Sequence, residues 1–228
     1  MDFSIIFGNL DIYFEGLKNT LILVSISLVI GLIFAVPLAV LRTSKNLAVS
    51  GPIQAYVYCF RGTPLLVQMF IIYYGMGQFE PIKASFLWFF FKEAYFCALF
   101  AFTLNTCAYT IEIIRGAIEN TPHGEVEAAK AAGMSNFLRF RRIILPSAFR
   151  RALPTYSNEI IFMLHGSSLA SVITIIDITG AARIVNSRYY SPYEAFLTAA
   201  VFYMAITFII IWLIKKLEIR WFAHLRRE

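Results

Sequence analysis

The chain has 228 residues, of which 59% are hydrophobic and 15% are charged, and its formal net charge is +6. Soluble domains are typically about 45–50% apolar and about 25% charged, so this composition excludes an ordinary soluble globular protein. The basic residues lie between apolar runs and not in an aromatic and basic RNA-binding module, so we expect a membrane protein that binds no nucleic acid.

Five apolar segments are long enough to cross the roughly 30 Å hydrocarbon core of a lipid bilayer as helices. They cover, in chain order, residues of about 20–41, 53–76, 86–114, 159–176 and 195–214. The second segment contains Arg61 and the tripeptide Gly62-Thr63-Pro64, which predicts a break in that helix. The sequence therefore predicts a single all-α membrane domain with five transmembrane helices.

The distribution of basic residues predicts the orientation of these spans. Fourteen of the 20 Lys and Arg residues lie in segments on one side, five lie on the other side, and Arg61 lies within a span. The fourteen are Arg42, Lys45, Arg115, Lys130, Arg139, Arg141, Arg142, Arg150, Arg151, Lys215, Lys216, Arg220, Arg226 and Arg227. Because cytoplasmic segments are enriched in Lys and Arg, we expect the N-terminus outside and the C-terminus in the cytoplasm.

The basic segment between the third and fourth spans, residues of about 119–152, has the features of a compact helical hairpin. Alanines that include Ala128 and Ala129 favour a helix with a small profile, which allows another backbone to approach closely. Gly133 predicts the end of this helix, and a second short basic helix follows, which we expect Pro146 to stop. On composition alone, a cytoplasmic hairpin without a partner is an equal alternative.

The spacing of residues 127–146, EAAKAAGMSNFLRFRRIILP, decides between these alternatives. It fits EAA, three residues, Gly, nine residues and Ile-x-Leu-Pro, and it resembles the coupling loop of membrane subunits of bacterial ATP-binding-cassette (ABC) importers. The resemblance continues through FRGTPLLVQ, LNTCAYTIEIIRGAIENTPHGE and LPTYSNEIIFMLHGSSLAS. Among polar amino acid importers, these segments are most similar to the M-type permeases of histidine/lysine/arginine/ornithine, octopine and nopaline importers.

This resemblance implies the type I ABC importer permease fold and a set of partners in the bacterial inner membrane. It implies two separate ATPase subunits that carry ATP and Mg, a homologous membrane subunit, and a periplasmic or lipid-anchored amino acid binding protein. The residues implied in coupling to the ATPase are Glu127, Ala128, Ala129, Gly133 and Pro146. The chain has no P-loop pattern, so we expect neither a catalytic site nor a cofactor in it.

Polar groups within the spans are candidates for substrate contact, because such groups usually face a bundle interior or a water-filled cavity. Asn105, Tyr109 and Glu112 have i, i+4, i+7 spacing and share one face of the third span. The fourth span contributes Asn158, Glu159, His165, Ser167 and Ser168.

Each candidate also has a structural alternative. Glu112 can pair with Arg115 or Arg142 at the cytoplasmic boundary, His165 can bond a neighbouring helix, and Arg61 can bond carbonyls at the predicted break. Glu159 can attract a cationic side chain or the α-ammonium group common to all amino acids. The three cysteines, which are irregularly spaced in apolar segments, predict packing and no metal site.

We therefore expect an importer permease for polar, and specifically basic, amino acids such as arginine, lysine, histidine, ornithine or opines. The alternative within this class is a neutral or acidic substrate such as glutamine. An ion-gradient-driven secondary carrier is a rival, but such carriers usually show internal repeats, and none is visible here. A scaffold without transport activity does not explain the polar faces of the third and fourth spans.

Overall fold

The computed structural model describes residues 3–221, and every regular element in this range is helical. The α-helices are α1 (Ser4–Phe7), α2 (Leu10–Arg42), α3 (Leu47–Gly62), α4 (Leu65–Phe70), α5 (Glu80–Lys83), α6 (Trp88–Phe91), α7 (Ala94–Glu119), α8 (His123–Ala131), α9 (Asn136–Arg139), α10 (Leu145–Gly166), α11 (Ile178–Tyr189) and α12 (Pro192–Trp221). Segments of π-helix (Ile71–Gly75, Phe140–Ile144) and 3₁₀-helix (Met76–Gln78, Ser167–Ile173) continue some of them. Arg226 and Arg227, which contributed to the orientation prediction, lie outside the described residues.

Three of the described helices, α2, α7 and α12, are each long and apolar enough to cross a membrane alone. Two bent pairs also qualify when each is counted as one span, which brings the total to five. The first pair joins Leu47–Gly62 to Leu65–Gln78 with a bend of 104°, and the second joins Asn136–Ile173 to Ile178–Tyr189 with a bend of 46°. The all-helical prediction is confirmed for the described residues, and the sharper bend lies at the predicted Gly62-Thr63-Pro64 break.

The helix bounds differ from the predicted spans at several positions, beginning with α2, which starts at Leu10 and not at residue 20. The third span, expected over 86–114, becomes α7 and starts at Ala94, because Glu93 has an extended backbone and separates it from α6. The fourth, expected over 159–176, is helical from Leu145 and changes to 3₁₀-helix at Ser167. Residues 145–152, which the sequence assigned to the cytoplasmic loop, are therefore the first turns of α10.

The core of the bundle is the contact between α2 and α7, which small side chains make close. A Cβ atom at Gly31 would lie 2.6 Å from Cγ2 of Thr106, so a larger residue there requires the helices to separate. Ala35 and Ala39 of α2 are fully buried along the same line. Small residues at helix interfaces let backbones approach and increase van der Waals packing in a membrane, and α2 and α7 therefore form a scaffold for the remaining helices.

The connection between α10 and α11 is fixed to the first half of α2 and to α12. Asn19 of α2 donates a hydrogen bond to the carbonyl of Ile176 at 2.9 Å, and the hydroxyl of Tyr203 in α12 donates to Oδ2 of Asp177 at 3.0 Å. Asp177 caps α11 by accepting from the Gly180 N–H at 2.8 Å. Satisfied backbone groups at these irregular positions are required where no water is available to pair with them.

Candidate functional site

One side chain, Gln68 of α4, bridges the break between α3 and α4 with hydrogen bonds. Its Nε2 donates to the carbonyl of Phe60 at 2.7 Å, to the carbonyl of Thr63 at 3.0 Å and to Oγ1 of Thr63 at 2.8 Å. Pro64 has no backbone N–H, so a helix interrupted there leaves carbonyls without partners. Gln68 satisfies these carbonyls and thereby fixes a non-helical turn within the bundle.

The same turn presents polar side chains to α7. Asn105 Nδ2 donates to Oε1 of Gln68 at 2.9 Å, and both residues are buried. One helical turn along α7, the guanidinium of Arg61 lies over the ring of Tyr109, with 5.1 Å between Cζ and the ring centroid. The sequence proposed Asn105 and Tyr109 as neighbours on one face, and the structure places both against the α3–α4 break.

Glu159 of α10 completes this arrangement. The residue is only 5% exposed, and its carboxyl group lies next to Thr106 and within electrostatic range of Arg61. An ionisable group buried at this depth is costly and by default marks a functional position. We use the name "break cluster" for the residues that α3, α4, α7 and α10 bring together here: Arg61, Gln68, Asn105, Tyr109 and Glu159.

Four other candidates of the fourth span lie outside the break cluster. Asn158 is exposed beside Glu159, and the hydroxyls of Ser167 and Ser168 donate to the carbonyls of Leu164 and His165 at 2.6 and 2.7 Å. His165 faces α12, where a ring nitrogen lies 3.3 Å from Oγ1 of Thr207. The structure thus shows the interhelical contact that was the alternative role of this histidine.

Glu112 also belongs to a different group. Its carboxylate lies 2.8 Å from Nη2 of Arg115 and 3.8 Å from Nε of Arg42. Arg115 also pairs with Glu119. This network joins the ends of α2 and α7 next to the predicted coupling loop, as the boundary alternative expected. It places Glu112 apart from Glu159.

The predicted coupling loop is a folded hairpin whose turn is centred on Gly133. Gly133 has φ = +74°, its N–H bonds the carbonyl of Lys130 at 2.9 Å, and the Met134 N–H bonds the carbonyl of Ala129 at 3.1 Å. This is the Schellman arrangement that commonly ends helices. Ala129 is buried against the hairpin, whereas Glu127, Ala128 and Gly133 are exposed and available to a partner.

The role expected of Pro146 as the residue that stops the second loop helix was wrong. In the structure Pro146 is in the first turn of α10, and the chain stays helical through α9, the π segment Phe140–Ile144 and α10. Proline lacks the N–H that would continue the hydrogen-bond ladder, and the π segment directly before it is where the ladder changes its pattern. The loop therefore continues directly into the helix that carries Glu159.

One residue that the sequence did not identify fixes the hairpin to the membrane helices. Arg151 of α10 donates to the carbonyl of Ala117 at 3.0 Å, to Oγ1 of Thr121 at 2.8 Å and to Oγ of Ser147 at 2.5 Å. Ser147 in turn donates to Glu125 of α8 at 2.9 Å. Arg151 was counted only as one of many basic residues, and nothing in the local sequence distinguishes it from Arg150.

The described residues give no sign of a metal centre. Within residues 3–221 no group of three or more His, Cys, Asp or Glu side chains has a suitable arrangement. Cys97 and Cys107 are buried free thiols, and Cys59 is exposed.

Comparison with known proteins identifies the family. Residues 27–222 match the family described as the binding-protein-dependent transport system inner membrane component. The chain belongs to this family. It is thus a membrane component of a transport system, and its helices have the length and apolar composition needed to cross a membrane.

Its relatives are similar over nearly their whole length. The nopaline transport system permease protein NocM of Agrobacterium fabrum is 47% identical over 99% of this chain and 94% of its own length. The histidine/lysine/arginine/ornithine transport system permease protein HisM of Escherichia coli is 48% identical over 93% of this chain and 90% of its own length. These similarities confirm the predicted resemblance.

The fold also has a solved counterpart. The crystal structure of an amino acid ABC transporter with histidines contains a chain that superimposes with a TM-score of 0.87 and 31% sequence identity. The match covers 96% of this chain and 99% of that one. The predicted fold class, an all-α ABC importer permease, is confirmed by this match.

Proposed function

We propose that this inner membrane component is the permease subunit of a bacterial ABC importer for basic amino acids or basic opines. The relatives NocM and HisM support this substrate class, because they are permeases of nopaline and histidine/lysine/arginine/ornithine transport systems. The buried carboxyl group of the break cluster supports it as well. The chain spans the inner membrane several times, with its N-terminus outside and its C-terminus in the cytoplasm. It makes and breaks no covalent bonds itself.

The observation that carries the substrate assignment is the buried carboxyl group of Glu159 at the break between α3 and α4. A carboxylate in a low-dielectric site attracts a guanidinium or ammonium group much more strongly than one in water. The non-helical turn at Thr63 and Pro64 borders the same cluster of residues. Irregular backbone at membrane depth is a typical feature of transporter binding sites.

The coupling path follows from the continuity of the helices. In our proposal the exposed face of α8, with Glu127 and Ala128, docks in a groove of the ATPase subunit, and Gly133 sets the turn. Arg151 fixes the hairpin to α7, and α10 continues from there to Glu159. These two residues are eight positions apart on one helix, so about 12 Å of helix, which includes Pro154, joins the hairpin to the substrate site.

The partners follow from this role. A pair of ATPase subunits binds ATP and Mg and docks at the hairpin of each membrane subunit. A homologous membrane subunit completes the pathway, and a periplasmic or lipid-anchored binding protein delivers the amino acid from outside. Closure of the ATPases moves the hairpins as rigid bodies, which alternates the access of the break cluster between the two sides.

A neutral substrate such as glutamine is the second candidate, and one observation favours it. Arg61 and Glu159 lie within electrostatic range of each other, so together they can bind the α-carboxylate and the α-ammonium group of any amino acid. In that arrangement Glu159 has no charge left for a cationic side chain. Substrate selectivity then comes from other residues of the pathway or from the binding protein.

The experiment that separates these candidates is substrate-stimulated ATP hydrolysis by the purified complex in lipid, with its binding protein, across the twenty standard amino acids, ornithine, octopine and nopaline. Stimulation only by arginine, lysine, histidine, ornithine or the opines supports the basic substrate class. Stimulation by glutamine or by acidic amino acids retains the importer and overturns the substrate assignment. Uptake that persists without the ATPase subunits and collapses with an uncoupler would overturn the importer itself.

A further inference from the structure

A cleft of about 350 Å³ lies between α11 and the 3₁₀ segment that precedes it, and we call it the Arg183 cleft. Its lining includes Ser171, Thr174, Gly180, Arg183 and Ser187. We propose that the Arg183 cleft receives a carboxylate side chain of the binding protein when that protein docks. The inference rests on the proposed function and adds to it the surface that this chain offers to the binding protein.

The Arg183 cleft lies at the end of the bundle opposite to the coupling hairpin. Next to the cleft, Asp177 packs against Gly16 of α2, where an added Cβ would lie 2.6 Å from the Asp177 carbonyl oxygen. Gly16 and Arg42 are 26 positions apart on α2, which corresponds to about 39 Å of helix. Arg42 belongs to the ion-pair network beside the hairpin. Because the hydrocarbon core is about 30 Å thick, the cleft and the hairpin lie on opposite sides of the membrane.

The guanidinium of Arg183 is oriented towards the cleft and can accept a carboxylate. Arg183 is exposed, and its Nη1 donates to the carbonyl of Ser171 at 3.1 Å. A guanidinium has five N–H donors, so this bond fixes the group and leaves further donors for a ligand. Within residues 3–221 Arg183 forms no ion pair. A planar guanidinium binds a carboxylate through two parallel hydrogen bonds, so an Asp or Glu side chain matches it.

The backbone around the cleft is fixed before a partner binds. Asp177 is buried and accepts hydrogen bonds from the Gly180 N–H at 2.8 Å and from the hydroxyl of Tyr203 at 3.0 Å. Thr174 has φ = +74°, which is unusual for a β-branched residue. Such conformations persist only where the surrounding structure holds them, and they cluster at ligand-binding positions. A preorganised cleft loses less conformational entropy when a partner docks.

The surface beside the cleft suits a protein partner. The end of α11 presents two tyrosines, of which Tyr189 is 46% exposed and Tyr190 is 88% exposed. Tyrosine and arginine are enriched among the residues that anchor protein interfaces. The family of this chain is described as binding-protein-dependent, so a binding protein must reach the membrane surface opposite to the hairpin. The Arg183 cleft and its tyrosines lie on that surface.

The first test measures the Kd of the binding protein for the complete complex in phosphatidylcholine nanodiscs, where no anionic lipid competes. The binding protein is loaded with the substrate that stimulates ATP hydrolysis most strongly. The site variant is Arg183→Gln, and the matched control is Arg188→Gln, which removes the same charge from an exposed position of α11 outside the cleft lining. Because the site variant loses hydrogen bonds between charged groups, we expect its Kd to rise at least roughly tenfold. Arg183→Lys retains the charge without the planar fork and should weaken docking less.

A second measurement leaves Arg183 in place. Ser187→Cys adds a thiol to the cleft wall, in a Cys59→Ser background that removes the exposed native cysteine. We expect the loaded binding protein to slow maleimide labelling of this thiol. A Lys45→Cys thiol, on the hairpin side of the chain, should label at the same rate with and without the binding protein. If free arginine alone slows the labelling of Ser187→Cys, the cleft is a small-molecule site and the proposal is wrong.

These experiments distinguish a failure of the docking site from a failure of the proposed function. If the loaded binding protein neither docks on the unchanged complex nor stimulates its ATP hydrolysis, the importer assignment itself fails. If it docks with the same Kd on Arg183→Gln, or if Arg188→Gln weakens docking equally, the importer stands and the Arg183 cleft is not its docking site. Should Arg183→Gln not assemble, the labelling of Ser187→Cys decides between these outcomes.

Discussion

Arg151 donates a hydrogen bond from Nη2 to Oγ1 of Thr121 at 2.8 Å, across thirty residues of sequence. The same nitrogen donates to the carbonyl of Ala117 at 3.0 Å, so a single guanidinium joins the start of α10 to the end of α7. Through Ser147 it also reaches Glu125 at the start of α8. One side chain therefore links the hairpin to the end of α7 and the start of α10 through hydrogen bonds.

Replacing Arg151 with Ala should separate ATP hydrolysis from transport. A hydrogen bond to a charged group contributes about 1.5–3 kcal/mol. Losing these bonds should therefore lower the equilibrium preference for the observed hairpin orientation by at least roughly tenfold. We expect the complex to assemble and hydrolyse ATP while the amount of substrate moved per ATP falls. Parallel measurement of uptake and phosphate release in proteoliposomes gives this ratio.

Two further variants qualify the Arg151 result. Arg151→Lys retains the charge but cannot reach three acceptors at once, and it should give an intermediate ratio. Lys45→Ala removes an exposed cation on the same side of the chain and should leave the ratio unchanged. An unchanged ratio in Arg151→Ala would show that the hairpin is oriented by packing alone.

Replacing Glu159 with Gln tests the break cluster. The change removes the charge but retains the shape, so assembly and basal ATP hydrolysis should persist while substrate stimulation falls. Truncating one partner of a buried charge pair typically costs 2–5 kcal/mol, so the concentration for half-maximal stimulation should rise at least about 30-fold. The measurement is ATP hydrolysis as a function of substrate and loaded binding protein.

A matched carboxylate shows whether this effect is specific to Glu159. Glu15 is exposed on α2, so Glu15→Gln removes the same charge from the surface and should leave stimulation unchanged. Equal stimulation in the Glu159→Gln variant and the unchanged protein would remove Glu159 from the substrate site. Its burial would then need a purely structural explanation.

The sequence predicted those features that depend on neighbouring residues. The helix break lies at the predicted tripeptide Gly62-Thr63-Pro64, and the turn of the hairpin follows from Gly133 after an alanine-rich helix. It could not predict that Gln68 bridges the break to Asn105 or that Arg151 bonds Thr121, because those contacts join distant parts of the chain. The spacing along the sequence grouped Glu112 with Asn105 and Tyr109. In the structure Glu112 instead forms ion pairs with Arg42 of α2 and Arg115 of α7.

Gly31→Leu should destabilise the bundle more than any glycine change at an open position. A Cβ at Gly31 would lie 2.6 Å from Thr106, so the longer side chain forces α2 and α7 apart. Overpacking typically costs 1–3 kcal/mol, so we expect a lower Tm and a lower yield of assembled complex. Gly51→Leu is the control, because a Cβ at Gly51 has no neighbour within 4 Å. Equal melting temperatures for the two variants would contradict the close helix contact.

Gly133→Ala isolates the backbone conformation of the hairpin from its side-chain contacts. A Cβ at Gly133 meets nothing within 4 Å, but φ = +74° is unfavourable for a residue with a side chain, by about 1–2 kcal/mol. We expect weaker docking of the ATPase by roughly tenfold, measured as the affinity of purified ATPase subunits for the membrane subunits in nanodiscs. Gly133→Asn should weaken docking less, because asparagine tolerates this region.

Gly124→Ala is the control for this change, since it adds the same methyl group to the same hairpin. Gly124 lies within α8, has open space around its Cβ position and does not have a positive φ. Alanine there should leave docking unchanged or slightly improved, because it is the better helix former. Equal weakening by both substitutions would mean that the ATPase contacts the added methyl groups directly. Gly133 would then act through its small size, and the left-handed turn would not be what positions α8 for the ATPase.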